Sequence, residues 1–274
     1  MKTLTIKKLL FGLATVLLIA APSFAGPIYA GANDGNLYTL NPTTGGLTLI
    51  GSTGLPMLDI ALQPGGNLYG VSVNLQNGMS ELYSINPANG ASTLIGSSGA
   101  IVNALVFGPD GTLYGAGTNK FYQLNPGTGA ATQVGSTGSY FSAGDLEFLN
   151  GTLYLSSVTL GQGSLSNNQL YTINPGTGVG TATASDLGFP QVLGLAADAG
   201  VLYGVSHGSN SNSVITINPA TGAGTFQALF SNPTGFLIFG LAAEPAAANG
   251  VPEPSTWGLM AAGLAAVMGI SRRR

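Results

Sequence analysis

The chain has no cysteine. It therefore has no disulfide framework, no thiolate metal site and no cysteine nucleophile. Its one histidine, His207, lies in Ser206-His207-Gly208-Ser209. Gly204-Val205-Ser206-His207-Gly208 has the Gly-x-Ser-x-Gly spacing, but the Gly-Ser-Asn run that follows offers no helix for a nucleophile elbow, and P-loop, His-Glu-x-x-His and dinucleotide fingerprints are absent. The expectation is a loop histidine without a role, no catalytic residue and no enzyme activity. Charge is scarce too. Only 6% of the 274 residues are charged, against about 25% in ordinary soluble domains. Lys2, Lys7 and Lys8 open the chain and Arg272, Arg273 and Arg274 close it, which leaves Lys120 alone between them. From Asp34 to Glu244, one lysine faces nine acidic residues, a net charge of −8. Such a body cannot neutralise phosphates, which excludes nucleic acid as a partner.

What the chain has in plenty is punctuation: 43 Gly and 15 Pro, with 45% hydrophobic residues for a core. Residues 1–25 read as a secretory signal. Lys2, Lys7 and Lys8 form its basic region, Leu9 to Ala21 its apolar region, and Ser23-Phe24-Ala25 supplies the small residues that signal peptidase inspects. Cleavage is expected between Ala25 and Gly26.

The body repeats. Asn-Pro pairs at Asn41-Pro42, Asn86-Pro87, Asn125-Pro126, Asn174-Pro175 and Asn218-Pro219 are spaced by 45, 39, 49 and 44 residues. A period near 40–45 with four short strands per unit is that of a propeller blade. Each unit offers an apolar first strand (Leu58 to Leu62, Ala104 to Phe107, Leu146 to Phe148, Gly194 to Ala197, Gly240 to Ala243). A Leu-Tyr second strand, a third strand and a Thr-rich fourth strand follow. Turns such as Pro109-Asp110-Gly111, Asn150-Gly151 and Asn33-Asp34-Gly35-Asn36 suit tight hairpins. The Asn-Pro-x-Thr-Gly turns join strands three and four.

The body opens at Pro27-Ile28-Tyr29-Ala30, which matches a second strand, and ends on a first strand. The last strand can therefore complete the first blade. Residues 26–244 are expected to form a five-bladed, all-β propeller of four-stranded blades, closed by the C-terminal strand.

In register, the first strands place Asp59, Asn103, Asp145, Gly194 and Gly240 at one position, near the axis. Asp59, Asn103 and Asp145 are the candidate metal ligands, for a hard cation such as Ca²⁺. The competing reading is that they bond local backbone. No other cofactor is expected.

Residues 245–250 form a linker of small residues. Then come Val251-Pro252-Glu253-Pro254-Ser255, an apolar run from Thr256 to Ile270, and Ser271-Arg272-Arg273-Arg274. Residues 251–274 resemble the PEP-CTERM sorting signal of Gram-negative bacteria that make extracellular polysaccharide. The resemblance implies that an exosortase-type membrane protease reads Pro252, Glu253, Pro254 and the Arg272–Arg274 end. It implies a transient stay in the inner membrane, then delivery to the cell surface or outside. The physical size agrees. Fifteen helical residues span about 22 Å, short of a hydrocarbon core of about 30 Å, and three arginines favour retention on the cytoplasmic side.

Two functions follow from this reading. The first is a non-catalytic surface or matrix propeller associated with exopolysaccharide, binding a polysaccharide or a surface protein. The alternative is a propeller hydrolase or lactonase with a cation in its central channel.

Overall fold

The computed structural model describes residues 26–136, 140–158, 168–208, 212–230 and 235–244. The expected signal peptide, linker and sorting segment lie outside the described residues, as does the apolar run from Thr256 to Ile270.

Twenty strands form five four-stranded antiparallel sheets. Blade 1 holds β1 (Ile28–Ala32), β2 (Asn36–Leu40) and β3 (Leu47–Ser52). Blade 2 holds β4 (Asp59–Leu62), β5 (Leu68–Val73), β6 (Ser80–Ile85) and β7 (Ser92–Ser97). Blade 3 holds β8 (Ala104–Phe107), β9 (Leu113–Gly117), β10 (Lys120–Leu124) and β11 (Ala131–Ser136). Blade 4 holds β12 (Phe141–Leu149), β13 (Thr152–Val158), β14 (Asn168–Ile173) and β15 (Gly180–Asp186). Blade 5 holds β16 (Val192–Asp198), β17 (Val201–His207), β18 (Asn212–Ile217) and β19 (Gly224–Leu229). The last strand, β20 (Ile238–Ala242), returns to blade 1 and pairs with β1 through Tyr29↔Ala242 and Ala30↔Leu241. This is the five-bladed propeller that the offset register predicts. Among the described residues there is no helix.

The inner strands β4, β8, β12, β16 and β20 touch one another around the axis and are almost wholly buried. Each interface between blades has its own apolar cluster. Tyr69 of blade 2 packs on Phe107 of blade 3 with ring centroids 5.2 Å apart, and Tyr114 of blade 3 packs on Phe148 of blade 4 at 5.9 Å. Because both faces of every sheet meet a neighbouring blade, the strands carry apolar side chains on both faces.

The Asn-Pro turns have two functions. Locally, Asn41 Oδ1 accepts the N–H groups of Thr43 and Thr44, and Asn125 Oδ1 accepts those of Gly127 and Thr128. Each turn also leans on the outer strand of the preceding blade. A Cβ at Gly51 would fall 2.0 Å from Asn89 O, one at Gly96 2.3 Å from Thr128 O, and one at Gly135 1.9 Å from Thr177 O. These glycines each follow a bulge in the outer strand, and only a residue without a side chain admits a backbone that close. The same latch closes the ring, since a Cβ at Gly45 of blade 1 would lie 2.1 Å from Leu229 O of blade 5.

Gly135→Ala is therefore expected to destabilise the fold by about 1–3 kcal/mol through overpacking. Gly127→Ala, whose added carbon meets only Asn125 Oδ1 at 3.4 Å, should be close to neutral. Urea unfolding of the two variants checks this; equal midpoints would show that the turn does not bear on the neighbouring blade.

Candidate functional site

An inner strand is the edge of its sheet, so every second peptide group points at the axis with no strand to bond. Pairing of the inner strands with their neighbours fixes which residues share a level. Ile60 faces Gly70, Leu105 faces Gly115, Leu146 faces Leu155, Leu195 faces Gly204 and Leu241 faces Ala30. These five residues are equivalent. The residues just before them are Asp59, Ala104, Asp145, Gly194 and Gly240. Two carboxylates thus share a layer with one alanine and two glycines. The small residues leave the room: a Cβ at Gly240 would fall 1.9 Å from Asp59 Oδ1.

Both aspartates are fully buried. Asp59 Oδ1 accepts the N–H of Ile60 at 2.7 Å, and its Oδ2 accepts that of Leu105 at 2.5 Å. Asp145 Oδ2 accepts the N–H groups of Leu195 at 2.6 Å and Leu241 at 3.0 Å. Two side chains thereby bind the inward amides of blades 2, 3, 5 and 1, and Asp145 itself belongs to blade 4. The two carboxyl groups are within hydrogen-bonding reach of one another. Burial pushes Asp59 well above the usual carboxylate range and the facing Asp145 adds to the shift, while the amides of Leu105 and Ile60 oppose it. Burial raises Asp145 in the same way, against the amides of Leu241 and Leu195. Two adjacent carboxylates in a dry core cannot both stay ionised without a proton or a counter-charge.

The sequence alignment placed Asn103 in this layer, and the structure corrects it by one residue. Ala104 occupies the equivalent position. β8 begins at Ala104, as the apolar pattern has it, so Asn103 precedes the strand, and its side chain donates through Nδ2 to Ser142 O at 3.3 Å. Among the described residues, no three His, Asp, Glu or Cys side chains form a metal-holding group.

Glu147 lies one level further along the axis and was not singled out from sequence. It is buried, and its Oε1 accepts the Phe148 N–H at 2.8 Å. Burial raises its pKa from 4.5 to about 8, against the amides of Phe148 and Ala197. The axis beside it is nearly closed. A cavity of about 10 Å³ remains, lined by Ile60, Leu105, Leu146, Glu147 and Leu241 among others, which is room for one water at most.

His207 is not a loop residue. It ends β17, is 3% exposed, and stacks edge-on against Phe230. Its Nε2 lies 2.9 Å from Ile238 O, and its Nδ1 3.2 Å from Asn212 Oδ1. The histidine therefore bolts blade 5 to the strand that closes blade 1. Ser80 Oγ makes the corresponding link between blades 2 and 3 through Val102 O at 2.7 Å, and Ser156 Oγ between blades 4 and 5 through Val192 O at 2.5 Å. Burial lowers the His207 pKa. Its place after the Leu-Tyr strand is a signal that sequence could have given; its burial is not.

Outside the axis, pairing reveals a second recurring feature. Tyr29, Thr39 and Thr48 lie side by side across β1, β2 and β3. Tyr69, Ser84 and Thr93 do so in blade 2, and Tyr114, Gln123 and Thr132 in blade 3. Tyr154, Thr172 and Thr181 repeat it in blade 4, and Tyr203, Thr216 and Thr225 in blade 5. The threonine of each outer strand is exposed. Beside this row lies a hollow of about 330 Å³ in blade 1, lined by Thr39, Asn41, Pro42 and Thr48. The equivalent hollow in blade 2 has about 480 Å³ and is lined by Tyr69, Ser84, Asn86, Pro87 and Thr93.

Comparison with known proteins bears on the tail and on the fold. Residues 250–274 match the PEP-CTERM protein-sorting motif. This sorting motif implies processing by exosortase during export and a membrane-anchored surface location. No curated protein matches the chain. Among solved structures, a chain from a complex of nidogen and laminin is similar at TM-score 0.50 and 10% identity, covering 80% of this chain and 99% of its own. A protein from work on the de novo evolutionary emergence of a symmetrical protein is similar at TM-score 0.47 and 22% identity, covering 78% and 92%. At 10% identity the likeness to the chain of the nidogen and laminin complex is one of fold alone.

Glu147 sets a pH dependence. Its folded pKa is raised, so the stability it contributes is fully present below pH 4.5 and is lost as pH rises through about 8, at up to about 1.4 kcal/mol per pH unit. His207 acts in the opposite sense. Its lowered pKa removes stability as pH falls below 6.5. Between pH 6.5 and 8 the glutamate acts without that opposition, and the Tm should fall. Glu147→Gln should flatten this part of the profile in thermal melts; an unchanged slope would show that Glu147 is not protonated in the fold.

Proposed function

We propose that this exported propeller is a non-catalytic binding module, acting at the cell surface on neutral polysaccharide. The observation that carries the reading is the fivefold row of tyrosine, a polar residue and threonine, with an open hollow beside it in blades 1 and 2. Hydroxyl and amide groups next to an aromatic ring suit a polyhydroxylated ligand, with the ring offering an apolar face and the polar groups fixing orientation. Tyr114 and Tyr154 are buried, but Tyr29, Tyr69 and Tyr203 are half-buried, and three such copies on one rigid body would let weak sites act together on a repeating polymer. The net charge of −8 over the body disfavours polyanions. The hydrolase alternative would need substrate access to the axis, where the cavity beside Glu147 holds about 10 Å³.

The test is binding of residues 26–250 to a neutral glucan and to an anionic alginate, with esterase and lactonase substrates assayed alongside. Retention on the glucan, weakened at least tenfold when Thr48, Thr93, Thr132, Thr181 and Thr225 are all replaced by Glu, is the expected result. Turnover of an ester or lactone would overturn the reading.

The sorting segment generates its own prediction. Replacing Pro252, Glu253 and Pro254 by Ala should leave an uncut form in the inner membrane, because an extended, proline-flanked segment is what a protease cleft accepts. Mass spectrometry of the surface form decides it. Intact Arg274 on the delivered protein would contradict processing at this motif.

A further inference from the structure

Along an inner strand, the peptide groups that face the axis alternate in kind. At the level of Ile60 and its equivalents the inward groups are N–H, and the two carboxylates accept them. Two residues earlier, carbonyl groups turn inward. Pairing places Leu58, Asn103, Gly144, Leu193 and Phe239 at that earlier level. Their convergence is visible at Gly144, whose φ is +142°. A carbon attached there would lie 3.3 Å from Leu193 O, 3.6 Å from Phe239 O and 3.9 Å from Asn103 O. Oxygens from blades 5, 1 and 3 thus gather at one point beside blade 4.

Residues next to this point carry unpaired side-chain atoms. Among the described residues, four buried side-chain polar atoms lack a hydrogen-bond partner, and three of them are Asp145 Oδ1, Asn103 Oδ1 and Ser142 Oγ. Asp145 follows Gly144 directly, and Ser142 and Asn103 are joined by the bond from Asn103 Nδ2 to Ser142 O. Asp145 is fully buried and Ser142 is 8% exposed. Orphaned buried polar atoms are costly and rare in native folds.

Three fillers can be compared. A proton shared with Asp59 would satisfy Asp145 Oδ1 and leave the other oxygens as they are. A water has two hydrogens for six acceptors. A hard cation takes six to eight oxygens, including carboxylates, amide oxygens and backbone carbonyls, and it alone also supplies the charge that two buried carboxylates lack. We propose that the mouth of the axis binds one divalent cation of the calcium class beside Gly144. Its ligands are the carboxylate of Asp145, the amide oxygen of Asn103 and the inward carbonyls of Asn103, Leu193 and Phe239. Asp59 supplies the second negative charge from the layer behind, and Gly144 keeps the space free of a side chain. Asn103 thus serves the axis from the carbonyl level, one residue away from the carboxylate layer. Sites in extracellular modules bind calcium at about 10⁻⁴–10⁻³ M, a range suited to an exported body.

The probe is calcium alone, added to the mature exported protein after treatment with EDTA and desalting. Calorimetric titration should give one site per chain. The Tm should rise by about 5–10 °C at a hundredfold excess over Kd. Asn103→Ala, which leaves the carboxylate layer intact, should weaken binding at least tenfold, and Asp145→Asn should abolish it. Equal melting temperatures in calcium, magnesium and EDTA would overturn the proposal. So would calcium stabilisation undiminished in Asn103→Ala, which needs no comparison with the less secure Asp145 variant.

Discussion

Five sheet edges face one line, and none can pair with another. This is the constraint on which the molecule depends. Edge strands normally hide their free N–H and C=O groups in water, under a helix or in a closed barrel. Here the inner edges lie in a dry core, where an unmet amide costs on the order of 1–3 kcal/mol. The chain meets the requirement with very few residues. Two aspartates from non-neighbouring blades accept four amides, and Glu147 accepts the Phe148 amide one level on. Carboxylates suit this role because each oxygen takes more than one donor. The consequence is charge buried where the chain has no basic side chain to offset it, Lys120 being exposed on β10. The unusual proton or ion chemistry of the axis follows from how the edges are capped.

The rim obeys a different constraint. Its blades are held by close backbone approach, which explains glycine at Gly51, Gly96 and Gly135 and the Asn-Pro turns that lean on them. Polar bolts at Ser80, Ser156 and His207 work between these two regions. Two serines and a histidine each link one blade to the inner strand of the next or to the residues that lead into it. Histidine stands at the last junction, where the two ends of the body meet. Ring closure therefore rests on the β1–β20 pairing, the His207 contact and the turn at Gly45.

Much of this was legible in the sequence. The Asn-Pro period gave the blade count, and the offset between Pro27-Ile28-Tyr29-Ala30 and the final apolar strand gave the closure. Both are signals of local chemistry repeated along the chain. Asp59 and Asp145 were also found, because acids at the head of apolar strands stand out. Asn103 was misplaced by one residue, since it is the polar residue that adjoins the strand while Ala104 takes the equivalent position in the pairing. Glu147 was missed because its neighbours Leu146 and Phe148 make the strand read as ordinary alternation. The tyrosine–threonine rows were invisible because their neighbouring members are 9 to 18 residues apart and meet only through pairing.

The closing strand also ties the fold to its route of export. Gly26 and Glu244 meet at blade 1: a carbon on Gly26 would lie 3.7 Å from Glu244 Oε2. The expected signal cleavage point and the start of the sorting segment therefore leave the body from the same place. Five residues separate Glu244 from Gly250, where the sorting match begins. Fully extended, six steps of chain reach about 20 Å. Cleavage near Pro252 removes nothing that β20 needs, since its last residue is Ala242. The pairing that closes the ring lies wholly within residues 26–244.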